Sequence, residues 1–268
     1  MHPTFEVFGI TIYAYTIMSI LGLAAGVTTW VFVDKRLKKY REDLFYCSLF
    51  AIIGGIIGAK INYILTVIPQ IIADPKFLLT LVRGGLLFYG GVIGGALGGW
   101  IYTKKYKMPF WQFADSAAVG IPIGHAFGRI GCFLAGCCYG APYEGPFAVT
   151  FPSCSQGAPA GIPRHPLQLY ECGANIILFI ILMIVAKRNK KPGRVLGLYL
   201  IGYSIIRILA EIIRDDARAL FLGIPVASFI SIGLIILGLL MVFGVINKGK
   251  PLSAYEVEEK AEEEAPAE

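Results

Sequence analysis

The chain has 268 residues, 56% of them hydrophobic and 16% charged, with a mean hydropathy of +0.67. Those proportions exclude an ordinary soluble globular protein. The formal charge of +6 hides an asymmetry: residues 256–268 hold seven Glu and one Lys, leaving 23 basic and 11 acidic side chains elsewhere. Fifteen of the 24 basic residues lie in short loops between apolar runs or at the start of the tail. That placement argues against a nucleic-acid surface and for contact with acidic lipid.

Seven apolar runs approach the roughly 20 residues needed to cross a hydrocarbon core. Ile10–Val33, Gly84–Thr103 and Phe221–Ile246 contain no charged residue, and Leu44–Ile72 contains only Lys60. Phe110–Leu134 carries Asp115, His125 and Arg129, Leu167–Ala186 carries Glu171, and Val195–Ile213 carries Arg207 and Glu211. The expected fold class is all-α: a polytopic integral membrane protein of about seven transmembrane helices with a small external head. Residues 1–246 form the transmembrane domain. Residues 247–268 form an acidic cytoplasmic tail whose composition predicts disorder. No Lys or Arg precedes the first run, which is longer than the apolar core of a signal peptide, so it is expected to persist as a helix.

Basic residues alternate between the connecting loops. Asp34–Asp43 holds five, Lys104–Lys107 three and Lys187–Arg194 five, and the tail opens with Lys248 and Lys250. With seven spans these lie on one side, which the positive-inside rule makes cytoplasmic, so the N-terminus is outside and the C-terminus inside. The other side has the near-neutral N-terminus, the stretch around Lys76 and Arg83, the Arg214–Gly223 connection and the long segment 137–166. That segment is dense in Gly and Pro and reads as turns and short strands. Its apolar patch Phe147–Phe151 favours an ordered head.

A charge near the bilayer centre costs at least ~2.5–3.5 kcal/mol on insertion scales, so each needs a partner or a task. Arg207 and Glu211 are spaced i, i+4, with Arg214 three residues on, and share a face of the sixth helix. A buried structural pair and a catalytic role are equal readings of Glu211. Adding Arg129 predicts an excess of positive charge near headgroup depth, which suits a phosphate bound bidentately by Arg. His125 lies one turn before Arg129 on the same face. It reads either as a helix-packing histidine or as a proton acceptor at neutral pH.

The remaining motifs are mainly structural. Gly54, Gly55 and Gly58 in the second run and the Gly pairs at 90–91, 94–95 and 98–99 in the third read as close helix packing. Cys132, Cys137 and Cys138 form a Cys-x4-Cys-Cys run that fits zinc spacings poorly, and no metal or cofactor is expected from it. A disulfide from Cys137 or Cys138 to Cys154 and plain apolar packing by Cys132 both stay open.

The run from Gly124 through His125, Gly128, Arg129, Gly131 and Cys132 to Gly140 resembles the signature of the prolipoprotein diacylglyceryl transferase family. Phe88-Tyr89-Gly90-Gly91 is similar to that family's His-Gly-Gly segment. Arg164-His165-Pro166-Leu167-Gln168-Leu169-Tyr170-Glu171 matches its Arg-His-Pro-Ser-Gln-Leu-Tyr-Glu motif at all but one position. Arg207, Glu211 and Arg214 fall where its sixth helix has Arg, Glu and Arg. The resemblance covers the chain to about Ile246, in order.

The resemblance implies transfer of the diacylglyceryl group of phosphatidylglycerol to the thiol of the lipobox cysteine in a preprolipoprotein signal peptide. The products are a thioether and glycerol 1-phosphate, and the setting is the inner membrane. Such a reaction needs a deprotonated thiol and Arg donors around the departing phosphate. By motif match Arg129 binds phosphatidylglycerol, with Arg207 a second phosphate-facing group oriented by Glu211 and with Tyr15 and Gly140 beside them. Tyr89 stands where the family has a catalytic His, and a phenol of pKa ~10 is a weak base at pH 7. Cys132 replaces an Asn and Cys137 a Glu. His125 acting as base, or Arg129 lowering the pKa of the acceptor thiol, is favoured over an altered acceptor. Two readings from other classes stand beside this one: a phospholipid-binding or transport protein without transferase activity, and thiol redox or metal handling through the cysteines.

Overall fold

The computed structural model describes residues 4–7, 10–74, 85, 87–153, 157–189, 191–216, 220–221, 223–247, 252 and 255. Among them are seven α-helices: α1 Ala14–Phe32, α2 Arg41–Ala73, α3 Phe88–Lys105, α4 Phe110–Ala135, α5 Leu167–Arg188, α6 Arg194–Ile213 and α7 Val226–Val242. A 3-10 helix over Lys35–Tyr40 leads into α2. Three two-stranded antiparallel ribbons complete the chain: β1 Thr4–Val7 with β2 Ile10–Tyr13, β3 Val149–Thr150 with β4 Pro163–Arg164, and β5 Leu220–Phe221 with β6 Ile224–Pro225. Five helices are long and apolar enough to cross a membrane: Ala14–Phe32, Lys35–Ile72, Phe110–Ala135, Leu167–Arg188 and Arg194–Ile213. The protein is a polytopic membrane protein. The expectations for the tail, for the stretch around Lys76 and Arg83, and for Cys154 lie outside the described residues.

Among the helix starts that differ from the sequence reading, α3 begins at Phe88 rather than Gly84, and two others are taken up by ribbons. The first apolar run was expected to be helical from Ile10, but Ile10–Tyr13 pairs with Thr4–Val7 and the helix begins at Ala14. β-branched Thr and Ile alternating along Ile10-Thr11-Ile12 suit a pleated ribbon better than a first helical turn. The seventh run was expected from Phe221, but the chain forms a hairpin turning at Gly223, φ 78°, and α7 starts after Pro225. Pro fixes φ and lacks an N–H, so it suits the residue that precedes a helix.

The described residues fall into two compact units, Met1–Lys35 with Ala114–Pro251 and Arg36–Phe113 with Leu252–Glu268. In the second, α2 and α3 pack backbone to backbone. A Cβ on Gly94 would stand 2.2 Å from the Gly54 carbonyl oxygen, and one on Gly58 2.3 Å from that of Gly90. Tyr102 closes the end of this hairpin by donating its hydroxyl to Asp43 at 2.8 Å.

In the first unit the same device recurs between α6 and α7, where Gly197 and Gly238 each face the other's carbonyl oxygen. The apolar core joins Ala118 and Val119 of α4 to Leu178, Leu182 and Ala186 of α5 and to Val195 and Tyr199 of α6. Asp115, an unexplained charge in the sequence, has a structural task. Its carboxylate accepts from the backbone N–H of Gly193 at 2.9 Å and of Leu196 at 2.8 Å, satisfying donors at the start of α6. Asp115→Ala is expected to cost about 1–2 kcal/mol, with Asp115→Asn retaining most of the stability, as read by thermal unfolding in detergent. An alanine variant as stable as the parent would remove this role.

Candidate active site

All the cross-helix contacts of the candidate site lie within the first unit. α4 contributes His125, Arg129 and Cys132, α5 contributes Gln168, Glu171 and Asn175, and α6 contributes Tyr199, Tyr203, Arg207 and Glu211, with Arg214 at its end. Successive residues three and four apart place each set on one helix face.

Arg129 Nη2 meets Glu171 Oε2 at 2.8 Å and Arg207 Nη2 meets Glu211 Oε2 at 3.0 Å. The two carboxylates are almost fully buried, while each guanidinium keeps a modest exposure. Glu171 also interacts electrostatically with Arg207 and Arg214. Tyr203 hydrogen-bonds Arg129. One guanidinium nitrogen of Arg207, Nη1, is buried with no hydrogen-bond partner among the described residues.

The head fixes the outer part of the cluster. Gly140 donates its N–H to the His165 carbonyl at 3.2 Å, Ala141 to that of Ile213 at 2.8 Å, and Asp215 to that of Tyr139 at 3.2 Å. The segment after α4 is thereby stitched to the start of α5 and the end of α6. Arg164 donates from Nη1 to the Gly140 carbonyl at 3.1 Å and to Asp215 Oδ2 at 2.6 Å, with its guanidinium over the Tyr139 ring. Arg214 is held by both carboxylate oxygens of Asp216, with Nη2 to Oδ2 at 2.7 Å. Burial opposes its charge, but the hydrogen bond to Asp216 outweighs this and holds the guanidinium above its ordinary value. A Cβ at Gly140 would lie 2.7 Å from that of His165, so the position has no room for a side chain.

Arg207 and Glu211 pair as the i, i+4 spacing predicts. The expected excess of positive charge is corrected: each of the four arginines has an acid partner, Glu171, Glu211, Asp215 or Asp216, two of them brought from other elements. His125 lies 4.7 Å from the Tyr203 ring and 6.5 Å from Tyr199, and hydrogen-bonds Asn175. Tyr15 lies beside Gly131 and interacts electrostatically with Cys132, Cys137 and Cys138. Tyr89 belongs to the second unit, where it is 45% exposed at the start of α3 and packs edge-on against Phe88.

Three features add to the sequence reading. Asn175 and Tyr203 lack charge, so nothing in the sequence sets them apart from other helix residues. Gln168, in the motif that closes the head, donates to the Cys137 carbonyl at 2.7 Å. The three sulfurs of Cys132, Cys137 and Cys138 lie within 4.8 Å of one another, although their spacing matches no familiar zinc pattern. At Cys137 the hydrogen bond with Cys132 lowers the pKa, but that with Cys138 and burial win and raise it to about 11. Cys138 is drawn well below the thiol range by hydrogen bonds from Cys132 and Cys137, with help from Arg214 and Arg129.

The family profile described as "Prolipoprotein diacylglyceryl transferase" matches residues 3–244, nearly the whole chain. The chain belongs to the prolipoprotein diacylglyceryl transferase family. Relatives named phosphatidylglycerol--prolipoprotein diacylglyceryl transferase include one from Clostridium tetani (strain Massachusetts / E88), 40% identical over 88% of this chain and 94% of the relative. One from Clostridium perfringens (strain 13 / Type A), whose name carries the suffix 2, is 37% identical over 88% and 92%. One from Pseudomonas fluorescens (strain SBW25) is 30% identical over 90% and 92%. The protein is therefore an enzyme, a diacylglyceryl transferase. For such a transferase, guanidinium donors in a dry, preorganised cluster are suited to stabilising negative charge that develops on a departing group.

Proposed function

We propose that this transferase takes phosphatidylglycerol as donor and the lipobox cysteine of a preprolipoprotein signal peptide as acceptor. A carbon–sulfur bond forms as the glyceryl carbon–oxygen bond breaks, yielding a thioether and glycerol 1-phosphate. The observation that carries this reading is the pair of buried ion pairs Arg129–Glu171 at 2.8 Å and Arg207–Glu211 at 3.0 Å, with Arg207 Nη1 buried and without a hydrogen-bond partner among the described residues. A buried donor left unsatisfied is costly, and a phosphate oxygen would satisfy it. Arg129 and Arg207 then grip the phosphate, each with donors to spare beyond its carboxylate partner. Glu171 and Glu211 orient them, and Tyr15 and Gly140 border the headgroup. The basic loops support an N-terminus outside, a cytoplasmic C-terminus and residence in the inner membrane. They equally support residues 1–246 as the transmembrane domain, with 247–268 as a cytoplasmic tail.

The test is conversion of a lipobox peptide by the purified full-length chain in phosphatidylglycerol vesicles, followed by mass spectrometry. Thioether product with equimolar glycerol phosphate supports the reading. Lipid binding with no release of glycerol phosphate would favour a protein that binds or moves phospholipid without the chemistry.

His125 and Tyr89 are separable in the same assay. His125 supports Tyr203, which contacts Arg129, so His125→Ala is expected to lower kcat by about 10–100-fold. Tyr89→Phe, at a half-exposed ring, should leave the rate within a few-fold. The opposite order would assign the base to Tyr89.

A further inference from the structure

The end of α4 gathers the three thiols by a specific backbone path. Cys132 lies in the last turn. The chain then reverses through Gly136, φ 75°, and Cys138, φ 60°, both left-handed. For a residue with a Cβ that conformation costs roughly 1–2 kcal/mol, so the surrounding structure must impose it at Cys138. The result is three partly buried free thiols whose Sγ atoms lie within 4.8 Å of one another. Thiolates at ~2.3 Å from a tetrahedral zinc stand ~3.8 Å apart, so about an ångström of closure would form the site.

Two further observations bear on what the cluster takes. Arg214 and Arg129, each paired with an acid, both act electrostatically on the Cys138 sulfur and favour negative charge there. Cys137 also lines a cleft of about 300 Å3 with Tyr13, Tyr15, Thr16 and Ala135, so one side of the cluster faces open space. Three protein ligands with an accessible fourth position is the arrangement of catalytic rather than structural zinc. Other groups that could take the acceptor's proton are poorly suited: Tyr89 is a phenol, and His125 is enclosed by Tyr199, Tyr203 and Asn175.

We propose that Cys132, Cys137 and Cys138 bind a thiophilic dication, Zn2+, and that the acceptor thiol of the substrate peptide enters as its fourth ligand. This rests on the transferase reading above. Coordination releases the acceptor's proton to the medium. The thiolate attacks the glyceryl methylene, the carbon–oxygen bond breaks, and its electron pair leaves on the glycerol phosphate held by the arginines. The thioether product is a weaker zinc ligand than the thiolate, which favours its departure.

The experiment uses the full-length chain purified in detergent from zinc-supplemented cells. Elemental analysis should find a single zinc per chain, lost in Cys132→Ser and Cys138→Ser. Cys137→His, which keeps a ligand, and Cys47→Ser, which alters a thiol in α2, should both retain it. Cobalt substitution should give sulfur-to-metal charge-transfer absorption that strengthens with a cysteine acceptor peptide and not with its serine analogue. Zinc-free protein with full transferase activity would overturn the site while leaving the reaction intact, as would a disulfide within the trio in active protein. Zinc and peptide-thiol binding without any diacylglyceryl transfer would uphold the metal site and sink the reaction.

Discussion

Arg129→Ala is expected to abolish measurable transfer, with a fall of at least about 10²–10³ in rate. Arg129 is the α4 member of the cluster that contacts both Glu171, at 2.8 Å, and Tyr203. Its removal has a second effect. Glu171 is only 2% exposed, and breaking a buried pair by deleting one partner strands a charge, at about 3–5 kcal/mol. Loss of activity in the single variant could therefore reflect poor folding. The double variant Arg129→Ala/Glu171→Gln separates the two effects, because it removes the stranded charge without restoring the guanidinium. It should recover most of the thermal stability and none of the transfer. Arg129→Lys keeps the charge but loses the bidentate fork and should be intermediate. Full activity in Arg129→Ala would refute the assignment of the site.

Gly94→Leu is expected to prevent α2 and α3 from closing, and Gly94→Ala to cost about 1–3 kcal/mol. The obstacle is backbone: a Cβ at 94 meets the Gly54 oxygen at 2.2 Å and the Gly58 Cα at 2.9 Å, neither of which can swing aside as a side chain would. Gly233 in α7 is the internal control. A Cβ there meets nothing within 4 Å, so Gly233→Ala should be neutral or stabilise by up to about 1 kcal/mol through helix propensity. Thermal unfolding in detergent, with protease sensitivity as a second probe, reads both. Equal tolerance at 94 and 233 would contradict the close approach.

Much of this was legible in one dimension because lipid imposes length and polarity on each span. α4, α5 and α6 end within two residues of the expected runs, since Lys, Arg and the Gly-rich head mark where apolar sequence stops. The short apolar ribbons Ile10–Tyr13 and Leu220–Pro225 were absorbed into neighbouring spans because hydropathy does not distinguish a β-hairpin arm from a helix end. In the site, pairs set by helical repeat could be read directly, as with Arg207 and Glu211. Pairs between elements could not: nothing in the sequence links Arg129 to Glu171 or Arg164 to Asp215. The closeness of the three thiols, whose spacing argued against a metal site, could not be read for a related reason. Metal-ligand spacings assume familiar turns, and the left-handed reversal at Gly136 and Cys138 brings sulfurs together from an unfamiliar spacing.

The division of the four ion pairs into local and cross-element ones bears on biogenesis. Arg207 with Glu211 and Arg214 with Asp216 lie within a few residues of each other, so α6 can neutralise itself as it emerges from the ribosome. Arg129 and Glu171 sit on α4 and α5, separated by the head, and each helix alone presents an unmatched charge near its outer end. Partitioning of α4 is therefore completed only when α5 arrives. Membrane integration and formation of the Arg129–Glu171 pair are thereby coupled, and a chain stalled before residue 171 is expected to hold α4 with that charge unmatched.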